Sequence, residues 1–209
     1  MEKFLSIPLE KQHGFVDAAL VCFGTNGYKK TSISDIAAKA GISKAMVFHY
    51  FGTKKALYLY LINYCSDLVM NEIEAKFDRM VTDFFDRLKQ ATEIKVAVIE
   101  KHPAVLAFLM NVYFETNEEV RQDIASILAA GEEIRRKIAF TGVDESKFKD
   151  GIDMNLLLSM LTWMAEGSAS QMSKNDKLDI RAIANDFSRC IDMLKSHFYK
   201  PEYLGSDGR

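Results

Sequence analysis

The sequence predicts an all-α protein of about nine helices, and three observations carry that prediction. Apolar side chains recur at helical spacing through almost all of the 209 residues. No convincing run of alternating strand residues interrupts them. Only three Pro and eleven Gly are present, and several stand where a helix should begin or end. With 48% hydrophobic and 27% charged residues, the chain has enough apolar material for a sizeable core and does not read as disordered or low in complexity.

The first helix is expected from about Pro8 to Gly27, with Phe15, Ala18, Ala19, Cys22 and Phe23 forming one apolar stripe. Asn26 and Gly27 read as its stop, because a left-handed residue releases the last turn. Next come two short helices. Ser34 can cap the first, whose Ile36, Ala37 and Ala40 face inward; Gly41 permits a sharp turn, and Ser43 can cap the second, Lys44 to Phe51. That arrangement is a helix-turn-helix. Gly52 ends it, and a fourth helix restarts at Thr53 and runs past Leu57 to about Phe77.

Further helices are expected over about 83–101, 103–116, 117–140, 151–172 and 179–198. His102-Pro103 separates the first two of these, since Pro disfavours the α region for the residue before it and suits a first helical turn. Asn117 reads as an N-cap ahead of Glu118 and Glu119. Thr141 to Lys149 is expected to be a polar loop, Ser173 to Lys177 a turn, and 201–209 a frayed tail. The organisation is therefore a helix-turn-helix domain over 1–57, a larger helical domain over 58–200, and a tail over 201–209.

Charge supports this division. The net value of -2 is an average of unlike parts, because residues 1–57 carry eight Lys and no Arg against four acids, whereas the remainder carries 19 basic and 25 acidic side chains. A basic head suits a phosphate backbone, and an acidic body is repelled by it. Three scattered Cys give neither a disulfide framework nor a zinc pattern and suit a reducing cytoplasm. The first nine residues lack a long apolar run, and no stretch approaches the roughly 18 apolar residues of a membrane span, so export and membrane insertion are disfavoured. The four His fall without metal-ligand spacing, and nucleophile-elbow, P-loop, zincin and dinucleotide motifs are all missing. Within 144–155, Phe148 and Lys149 stand where a calcium loop needs oxygen. No catalytic residue, metal or cofactor is expected.

The stretch Phe15 to Leu57 resembles the TetR family of bacterial transcriptional regulators. The matching text is Ala18-Ala19, Phe23, Asn26-Gly27-Tyr28, Thr31-Ser32, Asp35-Ile36-Ala37, Ala40-Gly41-Ile42-Ser43-Lys44 and the continuous run Phe48 to Leu57. A recognition helix must bring short or flexible side chains at its N-terminal end to the base edges of the major groove. Lys44, Ala45, Met46 and Phe48 occupy that end, and His49 and Tyr50 are placed to reach phosphate. Similarity to the family assigns Lys54, and the hydroxyls of Thr31 and Ser34, to phosphates. Ser34 and Ser43 read as caps first. Val47 and Phe51 read as core. Phe48 reads as core or groove, with the family's Tyr at that place favouring the groove, while Met46, where Thr is more usual, moves readout from hydrogen bonding toward apolar contact. Lys55, where Glu is commoner, reads either as a further phosphate contact or as a solvated charge.

In the body, the segment from Ile152 to Ala165 is apolar nearly all round and must be covered on more than one side. The resemblance supplies a homodimer built from the last two helices, with Leu157, Leu161, Met164, Phe187, Ile191 and Leu194 at the interface; a thick monomer core is the plainer alternative. The resemblance also implies a small, largely apolar effector, for which Phe108, Tyr113 and Trp163 are candidate lining residues, although Met and aromatic side chains at such spacing also make ordinary core. Glu100 or Glu115, if buried and unpaired, would favour a cation. The expected partners are double-stranded DNA, a second copy and an effector; the competing expectation is a constitutive DNA binder whose body engages another protein.

Overall fold

The computed structural model describes residues 2–172 and 179–204, with the side chains of 169–172 outside the description. Among the described residues the chain forms ten α-helices and two 3₁₀ turns, with a single isolated β-bridge between Phe148 and Tyr199. The helices are α1 (Glu2–Leu5), α2 (Leu9–Lys30), α3 (Ile33–Lys39), α4 (Lys44–Phe51), α5 (Lys54–Lys76), α6 (Phe84–Lys101), α7 (Pro103–Tyr113), α8 (Glu118–Phe140), α9 (Met154–Met172) and α10 (Ile180–Phe198). The all-α prediction holds, with α1 as the additional helix. The expected turn at Ser173 to Lys177 lies outside the described residues.

Two compact units are present, one formed by Met1–Asn71 with Ile99–Ala129 and the other by Glu72–Val98 with Ala130–Arg209. In the first, the predicted stripe of α2 is buried, with Phe15, Ala19 and Phe23 packed among Tyr28, Ile36, Val47, Phe51, Tyr58 and Phe108. Phe4 of α1 closes this core. Its ring lies 4.9 Å from Phe51, 5.4 Å from Phe15 and 5.6 Å from Tyr50, measured between centroids. Burial of a Phe side chain contributes about 1.5–3 kcal/mol, which explains why so short a segment is ordered. A lone Phe among Glu2, Lys3, Leu5 and Ser6 has no periodicity by which a sequence reading could find it.

The second unit is centred on Phe84, Phe85, Phe148, Leu157, Leu161, Ile191 and Tyr199. Asp83, just before α6, organises its polar part. One carboxylate oxygen accepts the Phe85 and Asp86 N–H groups, each at 3.1 Å, and the Tyr199 hydroxyl at 3.1 Å. The other faces the ammoniums of Lys147 at 3.3 Å and Lys195 at 3.2 Å. Burial alone would raise this carboxyl, but the backbone bond from Asp86 and the charge and hydrogen bond of Lys195 hold it below the usual carboxylate range. The stretch expected as a plain polar loop is more ordered than that: Glu145–Lys147 is a 3₁₀ turn, Phe148 is buried, and Lys149 N–H donates to Phe198 O at 2.8 Å. The tail likewise begins as a 3₁₀ turn at Pro201–Tyr203, with Lys200 N–H bonded to Lys147 O.

Candidate nucleic-acid interface

The helix-turn-helix forms where the sequence places it, but with one different cap. Ser32, not Ser34, caps α3: its backbone is extended, its Oγ accepts the Asp35 N–H at 3.1 Å, and its hydroxyl donates to the Asp35 carboxylate at 2.7 Å. The signal was present as Ser-x-x-Asp, a shortened form of the capping box. Ser34 is thereby left exposed in the first turn of α3. At the turn, Gly41 takes φ +68°, a conformation strained for a residue with a Cβ. Ser43 then caps α4 as expected, accepting the Met46 N–H at 3.2 Å.

The two faces of α4 separate cleanly. Val47, Tyr50 and Phe51 point into the core, at i, i+3 and i+4. Lys44, Ala45, Met46, Phe48 and His49 are exposed, with Met46 and Phe48 at 38% and 42% of their full accessible surface. An exposed Phe beside an exposed Met on a short helix is costly in water. It is intelligible if that face meets another surface. The Lys44 ammonium lies 6.0 Å from the Phe48 ring centroid, so a cation and an aromatic ring are presented together.

Three residues assigned by family similarity or placement stand elsewhere. Tyr50 is buried against Phe4 and is not part of the exposed row. Thr31 is buried at 2%, and its hydroxyl faces the carbonyls of Gly27 at 2.7 Å and Cys22 at 3.0 Å, so it closes the end of α2. Lys54 is partly buried; its ammonium donates to Tyr28 O at 3.0 Å and Thr31 O at 3.3 Å and sits 4.4 Å from the Tyr28 ring centroid. These carbonyls are acceptors that a helix end leaves over, which is why a cation at the start of α5 finds them. Lys55, left open between phosphate and solvent, pairs with Asp123 at 2.7 Å.

Of the effector candidates, Phe108 and Tyr113 belong to the first unit and Trp163 to the second. Phe108 is fully buried in the first unit, 5.3 Å from Tyr58 between ring centroids, whereas Tyr113 on the same helix is exposed beside Phe114. Trp163 belongs to the second unit, 61% exposed, on a cavity of about 50 Å³ lined also by Glu132, Arg135, Arg136 and Thr162. The cation idea fails for Glu115, whose carboxylate accepts backbone N–H groups of Tyr28, Thr116 and Asn117, and Glu100 is exposed. Of the residues expected at the dimer interface, Leu157, Leu161 and Ile191 are buried within the second unit of a single chain, while Met164, Phe187 and Leu194 are partly exposed. Among the described side chains, the large apolar ones left exposed on these two helices are Leu156, Met160 and Trp163 on α9 and Met193 on α10. Because α9 is apolar all round, its pattern could not say which face turns inward. Among the described residues no group of three or more His, Cys, Asp or Glu is placed to hold a metal, and no single helix is long and apolar enough to cross a membrane.

A helix-turn-helix head with an exposed recognition row, carried on an all-helical body, defines a DNA-binding transcriptional regulator. Residues 15–61 match the family described as bacterial regulatory proteins, tetR family. It is similar to the fatty acid metabolism regulator protein of Bacillus subtilis, with 28% identity over 181 residues that cover 81% of this chain and 88% of that protein. It is also similar to IcaR of Staphylococcus aureus, a negative transcriptional regulator of the biofilm operon icaADBC, with 24% identity, 75% of this chain and 83% of that protein. Among solved structures, FadR of Bacillus subtilis in complex with stearoyl-CoA superposes with a TM-score of 0.66 over 86% of this chain and 96% of that one, at 20% identity. These relatives are regulators, which favours a protein without catalytic activity.

Proposed function

We propose that this protein is a cytoplasmic repressor that binds a palindromic operator as a homodimer and is released by a small, largely apolar effector of the long-chain acyl class. The observation that carries the DNA part is the exposed row Lys44, Ala45, Met46, Phe48 and His49 on a capped helix, with Ser34 open on the helix before it. In this reading Lys44 donates to a guanine edge or a phosphate, Ala45 lets the backbone approach, and Met46 and Phe48 contact thymine methyls. A second copy, docking on Leu156, Met160, Trp163 and Met193 together with the partly exposed Met164, Phe187 and Leu194, covers side chains that one chain leaves in water. Two recognition helices then stand about one DNA turn apart, ~34 Å, as a palindrome requires.

Repression and an acyl effector are supported by the relatives: IcaR is a negative regulator, and the similar FadR structure holds stearoyl-CoA. The test has three parts. Light scattering should give a dimer, and genomic fragments selected by the purified protein should share a palindrome. Stearoyl-CoA, against free coenzyme A as control, should release that duplex. Met46→Thr should reorder affinity among operator variants; a uniform loss across variants would reduce Met46 to a positioning role.

A further inference from the structure

Helix α2 does not simply end before the helix-turn-helix; it breaks at Gly27, whose φ of +69° and ψ of 177° interrupt the helix before Tyr28. Helix α7 and the link after it grip α2 on the two sides of that break. On the near side, the backbone of Gly24 runs against α7 so closely that an added Cβ would stand 3.0 Å from Phe108 N and 3.2 Å from the Ala107 carbonyl carbon. There Asn111 Nδ2 donates to Gly24 O at 2.5 Å and to Ala107 O at 3.1 Å. On the far side, the Tyr28 N–H that the break withdraws from the helical ladder donates to Glu115 Oε2 at 3.1 Å. The other oxygen of Glu115 accepts the Thr116 and Asn117 N–H groups at 3.0 and 2.8 Å, so the carboxylate is held by the link between α7 and α8.

Glycine allows either a helical or a left-handed backbone at position 27 at similar cost. Which one is adopted is therefore decided by partners, and the partner of the freed N–H is Glu115. From Tyr28 the chain runs directly through Thr31 to the Ser32 cap and α3, so the state of Gly27 sets where the helix-turn-helix points. We infer that Asn111 and Glu115 are positioning residues for DNA recognition: from α7 and the link that follows it, outside the DNA-binding segment, they select the broken state of α2 and thereby fix the pose of α3 and α4. This inference rests on the DNA-binding reading of α4.

The test compares the full-length wild type with Glu115→Ala, Glu115→Gln and Asn111→Ala, using the genomically selected duplex and a scrambled duplex at 10 °C. Asp123→Ala, which removes a carboxylate of α8 in the same unit, serves as control. The expected result is at least a tenfold loss of affinity for the selected duplex in Glu115→Ala, a smaller loss in Glu115→Gln, which keeps one acceptor oxygen, and no change in Asp123→Ala. The slope of log affinity against log salt should stay that of the wild type, because no phosphate contact is removed. Amide exchange should accelerate from Tyr28 to Asp35 while α5 stays protected. Asn111→Ala combined with Glu115→Ala should cost less than the two single losses together, since both act on one joint. Wild-type affinity in folded Glu115→Ala overturns the inference, as does a loss accompanied by exchange that accelerates uniformly through the unit. If Glu115→Ala does not fold, wild-type affinity and exchange in Glu115→Gln and Asn111→Ala overturn it equally. A wild type that does not distinguish selected from scrambled duplex removes the DNA-binding reading, and this inference with it.

Discussion

Replacing Lys54 by Met tests most directly whether the ammonium of that residue belongs to the protein or to DNA. Met keeps an unbranched stem over the Tyr28 ring and removes the charge and its two bonds, at 3.0 Å to Tyr28 O and 3.3 Å to Thr31 O. A charge-assisted bond contributes about 1.5–3 kcal/mol, the longer bond less, and the contact with the ring about 0.5–1 kcal/mol. Partial exposure and non-additivity reduce the sum, and a net loss of about 2 kcal/mol is expected. For a chain of this size that corresponds to a Tm lower by roughly 4–8 °C in differential scanning calorimetry. The salt dependence of operator binding, read by fluorescence anisotropy, should keep its slope. A phosphate contact at Lys54 would instead make the slope shallower by ~0.9 per protomer, or ~1.8 for a dimer. An unchanged Tm together with that shallower slope would refute the assignment of Lys54 to the end of α2.

Three other outcomes follow from the buried polar groups. Asp83→Asn should destabilise the protein by about 2–4 kcal/mol near neutral pH by leaving Lys195 and Lys147 facing an uncharged amide. Because the folded carboxyl is held below its ordinary value of 3.8, its contribution is present above that value and lost as pH falls through the folded one; urea titrations should show wild type and variant converging in acid. Burial first, and repulsion from Arg135 second, push the Lys95 ammonium from 10.5 down to about 8. The unfolded chain then holds more protons between those values, so stability should rise as pH climbs from about 8 to 10.5. Lys95→Met should stabilise by about 1–2 kcal/mol at pH 7, an advantage that chemical denaturation should find gone by pH 10.5. The Tyr58 hydroxyl is buried without a hydrogen-bond partner, so Tyr58→Phe should leave stability unchanged or raise it by about 1 kcal/mol; a clear loss in thermal melts would reveal a bond to it.

Much of the fold was legible because helices announce themselves locally. The stripe of α2, the Ser43 cap and the Pro103 boundary all rest on contacts between residues a few positions apart. The exposed row of α4 was legible only in part: Val47 and Phe51 read as core, but Lys44 stands three positions from the one and Phe48 three from the other, and only the resemblance favoured the groove for Phe48. Ser34, expected as the cap of α3, is not the cap, because Ser32 makes the reciprocal bonds with Asp35.

What the sequence by itself determined was the class of the fold and the order of the helices, since each depends on periodicity and capping within one segment. Tertiary structure alone decided that Phe4 closes the first core, that Lys54 and Thr31 serve the end of α2, and that Leu157, Leu161 and Ile191 lie inside their own unit. In each case the deciding partner is distant in sequence or the helix is apolar on every side. A local pattern then states that a side chain must be buried or bonded, but not against what.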